Sequence, residues 1–256
     1  MGLDRSDWEE LGRDLESFRR NVVWREYADS VNRALLERWM GTRRWRRLLK
    51  TDAFDEAVGA GVRGLLASRA EMAVCMDVST TVAAHAAPAV VCDVRHLPFA
   101  AGTWDGVVSL STLDHFPALE EIRRSLGEIH RTLAPGGRLF VTLDNHANPI
   151  LWVRSRVPWR LLWRAGLTPY YVGASCGPQA CRRLLEEAGF RVKQMRAIVH
   201  VPRVVALPLC GVLSRLAPPG VRRRAVRLLL ALEWLDRLPS RWLTGHFLAA
   251  EAVKEG

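Results

Sequence analysis

Between residues 48 and 145, short apolar runs alternate with amphipathic helical stretches, and this alternation constrains the fold more than any other feature. Leu48-Leu49, Ala73-Val74-Cys75-Met76, Val90-Val91-Cys92, Val107-Val108-Ser109-Leu110 and Arg138-Leu139-Phe140-Val141-Thr142-Leu143 read as buried strands. Residues 118–133 place Leu119, Ile122, Leu126, Ile129 and Leu133 on one helical face, and Pro135-Gly136-Gly137 stops that helix. A further helix over residues 178–188, closed by Gly189, leads into a strand over 190–201, and residues 247–253 read as a last strand. The expected class is α/β: a doubly wound, mostly parallel, seven-stranded sheet with helices on both faces.

In such sheets ligands bind outside the carboxyl ends of the strands. Asp52, Asp77, Asp93 and Asp144 lie at or just past strand ends, so the chain puts its acids where a ligand would sit. Asp77, followed by Val78, is placed to accept both hydroxyls of a ribose. Its other reading is a cap for the next helix, a role Ser79 fills equally well.

Outside the alternation, residues 7–40 read as helix, with Trp8, Leu11, Leu15, Phe18, Val22 and Val23 recurring at three- and four-residue steps until Gly41. Arg43, Arg44, Arg46 and Arg47 around Trp45 read as a solvated patch. Residues 148–175 and 202–244 do not fit the pattern and read as insertions forming a cap. The division expected is a helical lid over 1–47, a ligand-binding core over 48–147, and the remainder of the sheet with its cap over 148–256.

Net charge is +10, and 34 of the 37 basic residues are arginine. The surplus is local. Residues 48–147 carry 8 basic and 12 acidic side chains, whereas residues 148–256 carry 18 and 6. No zinc-finger spacing, basic zipper or base-stacking strand accompanies the basic third, which argues against a nucleic-acid partner. Five cysteines without CxxC spacing read as reduced thiols, no metal-ligand spacing links the seven histidines, and the charged N-terminus is unlike an export signal. A cytoplasmic protein is expected. The apolar stretches at 204–213 and 228–232 fall short of the roughly 20 residues that cross a bilayer. Residues 150–163 and 221–238 nevertheless mix arginine, tryptophan and leucine, which suits either peripheral membrane contact or a packed face such as a homodimer surface.

The segment Val91-Cys92-Asp93-Val94-Arg95-His96-Leu97-Pro98-Phe99, then Thr103-Trp104-Asp105-Gly106-Val107-Val108, then Leu113-Asp114-His115-Phe116, then Leu133-Ala134-Pro135-Gly136-Gly137-Arg138-Leu139, resembles the class I S-adenosylmethionine-dependent methyltransferases. The resemblance covers about residues 48–145, with Leu185–Phe190 and the final strand. It implies a Rossmann-like fold, S-adenosylmethionine as cofactor, and transfer of a methyl group to oxygen, nitrogen or carbon of a small hydrophobic or anionic acceptor in small-molecule biosynthesis. Cofactor contacts are then expected from Asp52, Phe54, Glu56, Asp77, Val78, Asp93, Val94 and Ser109, with Asp93 and Val94 facing adenine.

One segment departs from the family. After the first strand, Lys50-Thr51-Asp52-Ala53-Phe54-Asp55-Glu56 stands where an acidic, glycine-rich turn is usual, and Phe54 and Glu56 replace its first glycines. Two outcomes follow. Either Asp52, Asp55 and Glu56 receive the cationic end of the cofactor, or the fold has been reused for binding, assembly or another reaction.

For catalysis, His115 is the first candidate base, with Asp114 to orient it or hold substrate, and His146 is the second. Asp144, Asn145, Tyr170 and Tyr171 are the candidate acceptor contacts.

Overall fold

The computed structural model describes residues 5–164 and 173–255. Seven strands form one sheet: β1 (Trp45–Lys50), β2 (Ala70–Asp77), β3 (Ala89–Val91), β4 (Trp104–Ser109), β5 (Leu133–Asp144), β6 (Phe190–Ile198) and β7 (Phe247–Lys254). Their order is β3-β2-β1-β4-β5-β7-β6, and only β7 runs antiparallel to its neighbours. The chain reverses its direction of travel between β1 and β4, so the ligand crevice of such a sheet opens there.

The central strands are buried on both faces because both of their side-chain rows are apolar. Leu48, Val108, Phe140 and Ala249 face one core, while Leu49, Val107, Leu139, Val141 and Leu248 face the other. The helices are α1 (Arg5–Arg13), α2 (Leu15–Arg19), α3 (Val22–Met40), α4 (Phe54–Val58), α5 (Arg63–Arg69), α6 (Thr80–His85), α7 (Leu119–Thr132), α8 (Pro149–Arg154), α9 (Trp159–Arg164), α10 (Pro178–Glu187), α11 (Arg203–Leu216), α12 (Pro219–Ala231) and α13 (Arg241–Thr244). The second face carries α7 and α10 through Ile122, Leu126, Ile129, Leu184 and Leu185. The first carries α3, α5, α11 and α12. Residues 202–244 therefore do more than cap the site. Ala206, Cys210 and Val226 complete a layer of the core against α3.

Four local readings change. The expected helix over 7–40 is three helices, and Asn21 starts the last of them by accepting the Trp24 N–H. Trp45, expected in a solvated arginine patch, begins β1 and is buried against Phe140, while Arg46 and Arg47 beside it stay exposed. Strand β5 pairs from Leu133 rather than Arg138, because residues 134–137 bulge out between the Leu133–Trp104 and Arg138–Gly106 partners. Strand β6 ends at Ile198 rather than residue 201, because Val199 turns through φ 60°, a region β-branched residues rarely enter. Glu233 holds that turn by accepting the N–H groups of Val199 and His200.

Candidate active site

The crevice begins at Lys50, the last residue of β1. Its ammonium is fully buried and donates to the Asp52 carbonyl at 3.1 Å and to Asp52 Oδ1 at 2.9 Å, and it lies 2.9 Å from Glu56 Oε2. Asp55 pairs with Arg25 at 2.6 Å, and Glu56 Oε1 also accepts the Val62 N–H. The three carboxylates offered as a receptor for the cofactor's cationic end thus share two of the protein's own cations, which leaves one negative charge in excess. Glu56 is buried in the pair with Lys50, and Phe54 packs its ring on Phe18 of α2 at 5.1 Å. Asp52 and Asp55 keep some exposure, at 16 and 24% of their side chains. Burial pushes the Asp52 carboxyl up to about 7 against the opposing pull of Lys50.

A chain of hydroxyls ties β1 to β4. Thr51 Oγ1 lies 2.9 Å from Ser109 Oγ and 3.1 Å from Thr112 Oγ1, and Thr112 Oγ1 donates to Asp52 Oδ2 at 3.1 Å. Ser109 is fully buried beneath this chain, so it supports the crevice floor.

Asp77, at the end of β2, accepts the Ala53 N–H on Oδ2 at 3.0 Å and the Ser79 N–H on Oδ1 at 2.9 Å. Ser79 Oγ caps α6 through the Val82 N–H, so the cap is Ser79, and the Asp77 carboxylate holds the β1 loop against β2. Burial raises the Asp77 carboxyl from its ordinary range. Val78 beside it is half-buried. After β3, Asp93 accepts the Arg95 N–H at 2.8 Å and its guanidinium at 2.6 and 3.0 Å. Burial alone would raise this carboxyl, but the hydrogen bonds from Arg95 hold it below the usual range. Val94 is buried next to it.

Asp114 and His115 occupy a 3-10 turn (Leu113–His115) after β4. Helix α1 reaches over them, and the Trp8 ring meets the His115 ring edge-on at 4.9 Å. Asp114 is 3% exposed, and its Oδ1 has no hydrogen-bond partner among the described residues. Burial, reinforced by the neighbouring Asp144, pushes its carboxyl up to about 6.

Asp144 closes β5. Its Oδ2 accepts from Arg154 at 2.5 Å, while Oδ1 lies 3.5 Å from His246 Nε2 with no hydrogen bond among the described residues. Burial and the nearby Arg203 and Arg154 drive His246 well below the usual histidine range, so it is neutral. Arg203 Nη1 lies 3.2 Å from that same Nε2, and its guanidinium sits 5.6 Å from the ring centres of both Trp24 and Phe247.

Asn145 departs from its expected role. Its amide donates to the Trp242 and Gly245 carbonyls at 2.7 and 2.9 Å, its Oδ1 accepts the Ala147 N–H, and it has no exposed surface. It fastens the end of the 202–244 insertion and presents no surface to a substrate. His146 lies 3.0 Å from Ser175 Oγ through Nδ1. Tyr170 and Tyr171 lie outside the described residues.

The crevice thus gathers Asp52, Ser109 and Asp77 through the β1 loop, and sets Asp114 near Asp144 and His115. Sequence reasoning missed Lys50, Arg25, Arg154, Arg203 and His246. A lysine closing an apolar strand two, five and six residues before Asp52, Asp55 and Glu56 was the one available signal, since a buried cation requires partners.

Comparison with known proteins agrees with this fold. Residues 57–141 match a family model described as a methyltransferase domain, beginning just after the altered loop. A segment of 51 residues is 39% identical to a probable tRNA methyltransferase 9B of Mus musculus, covering 20% of this chain and 11% of that protein. A methyltransferase of Thermotoga maritima described as a possible histamine N-methyltransferase superposes with a TM-score of 0.61 at 12% identity, over 97% of this chain and 99% of that one. The N-methyltransferase NodS of Bradyrhizobium japonicum, solved with S-adenosyl-L-homocysteine, gives 0.55 at 13% identity over 90% and 88%. The [4+2]-cyclase SpnF gives 0.58 at 15% identity over 89% and 81%. Residues 57–141, a third of this chain, thus match a methyltransferase domain, and the seven-stranded sheet that carries them shares the fold of solved S-adenosylmethionine-dependent methyltransferases.

Proposed function

We propose that the protein transfers a methyl group from S-adenosylmethionine to a small, hydrophobic or anionic acceptor, in the cytoplasm and as a step of small-molecule biosynthesis. The observation that carries this reading is Asp77. Each of its oxygens accepts one backbone N–H, which leaves a lone pair on each for a ribose hydroxyl at the mouth of the crevice. The residues present suit the cofactor at its nucleoside end, where Asp77 and Val78 would hold the ribose and Asp93 and Val94 would border adenine. At the other end Asp52 and Asp55 both retain some exposure, and a cation beside Asp52 would draw its raised carboxyl back toward ionisation.

When bound, S-adenosylmethionine supplies an electrophilic methyl group, so the protein's task is alignment and proton handling. His115 stands after β4 as the base for an oxygen or nitrogen acceptor, half-buried with the Trp8 ring edge-on against it. Asp114 and Asp144 each present a buried oxygen without a donor among the described residues, which supports an acceptor that brings an N–H or O–H of its own. His146 is the reserve base.

A second reading is favoured by Lys50. Its ammonium and the Phe54 ring occupy the loop where the family keeps glycines, as they would in a member reused for binding or for another reaction. Calorimetric titration with S-adenosylmethionine and S-adenosyl-L-homocysteine separates the two. Saturable binding that Asp77→Ala weakens supports methyl transfer, and absence of binding by either compound at millimolar concentration favours reuse.

A further inference from the structure

Helix α11 has two apolar faces, and only one is covered. Ala206, Cys210 and Ser214, four residues apart, are buried toward α3. On the outer side Val205, Leu209, Val212 and Leu216 are exposed to 61, 54, 53 and 81%. Within this helix of 14 residues only Arg203 and Arg215 are charged. Beside it, α12 exposes Leu228 together with Arg223, Arg224 and Arg227, and the turn that follows exposes Trp234. Helix α8 adds exposed Trp152 and Val153, with Arg156 stacked on the Trp152 ring. Asn148, the cap of α8, donates to the Thr244 and Gly245 carbonyls, so α8 springs from the same corner as the end of the insertion.

Charge decides what such a face can meet. Residues 199–246 hold eight arginines and two acids, Glu233 and Asp236. Glu233 accepts from Tyr27, Val199 and His200, and Asp236 is paired with Arg196. No acid on the insertion is left to balance the outward arginines. A second copy laid on this face would set arginine against arginine, which is costly. An anionic lipid surface meets both needs, since its headgroups pair with arginine and its acyl boundary takes the valine and leucine row. At about 1.5 Å per residue, α11 is too short to span and long enough to lie flat. No helix among the described residues is long and apolar enough to cross a membrane.

We propose that the outer face of α11 and α12, with the Trp152 segment, docks on an anionic lipid bilayer. The insertion leaves the sheet after Ile198 and returns at Phe247, which pairs with Asp144, so the docking helices are rooted at the crevice end of the sheet. It stands independently of whether the crevice transfers a methyl group.

The test is vesicle flotation of the full chain. Vesicles of phosphatidylcholine containing phosphatidylglycerol should carry the protein upward at low salt, and vesicles of phosphatidylcholine alone should carry far less. Raising the salt to about 1 M, where the Debye length falls to about 3 Å, should release most of it. The double variant Leu209→Glu with Val212→Glu and the triple variant Arg223→Glu, Arg224→Glu, Arg227→Glu change exposed side chains, and unaltered circular dichroism establishes that they fold. Each should lower binding, the triple by roughly a hundredfold. Failure of the wild type to float with anionic vesicles at low salt overturns the proposal. So does equal flotation with both vesicle types, and so does a dimer that Leu209→Glu splits in the absence of lipid binding.

Discussion

Lys50 Nζ and Glu56 Oε2 meet at 2.9 Å with both side chains wholly removed from solvent, at the point where β1 enters the crevice. A buried ion pair is weak evidence of stability, but removing one partner leaves an uncompensated charge in the interior. The loop therefore depends on both.

Lys50→Met should destabilise the protein by about 3–5 kcal/mol, because Asp52 and Glu56 lose their shared counter-charge. Lys50→Met combined with Glu56→Gln should recover part of the loss. Urea denaturation of both variants measures it, and additive losses in the double variant would mean that the two residues do not act as a pair.

Asp77→Ala should lower affinity for S-adenosyl-L-homocysteine by a few kcal/mol, since an ionised acceptor to two hydroxyls is removed. It also frees the Ala53 and Ser79 N–H groups, so a smaller loss of thermal stability should accompany it. Calorimetry separates the effects. Unchanged affinity would place the ribose elsewhere.

For Asp114 the sign of the pH dependence can be worked out. Its carboxyl is raised from 3.8 to about 6 in the fold, so the folded chain holds its proton more tightly than the unfolded chain does. Its contribution is therefore most favourable below about pH 4 and declines as pH rises toward 6. Above that it costs on the order of 3 kcal/mol. Asp114→Asn removes the charge, and its stability relative to wild type should rise between pH 4 and 7. A difference that stays flat across that window would contradict the burial of an ionising Asp114. If Asp114 also receives the acceptor, the same variant should raise KM.

Asn145→Ala should destabilise by about 1–3 kcal/mol, because the Trp242 and Gly245 carbonyls lose buried donors. Hydrogen exchange should quicken at the start of β7 and leave α7 unchanged. A variant of normal stability with an altered KM would return Asn145 to the substrate.

These tests follow the division between what the sequence reveals and what it conceals. The continuous apolar runs Leu48-Leu49, Val107-Val108 and Leu139-Phe140-Val141 mark strands buried on both faces, so strands, sheet class and the acids at strand ends are legible in one dimension. Ion pairing is not. Arg25 reaches Asp55 across 30 positions, and Tyr27 reaches Glu233 across 206, so no local pattern marks either contact. The same holds for Arg154 and His246, which meet Asp144, and for Arg203, which meets His246, only when three segments converge. The end of β6 was illegible for another reason. Val199 has strand propensity, and the Glu233 carboxylate outweighs it by binding two consecutive N–H groups.

The central claim is that this crevice still holds S-adenosylmethionine despite its altered first loop. Isothermal titration of the purified full chain with S-adenosylmethionine and with S-adenosyl-L-homocysteine tests it most directly. The account predicts one saturable site for each compound, weakened in Asp77→Ala and retained in Asn145→Ala. A folded wild-type protein that binds neither compound at millimolar concentration would contradict it.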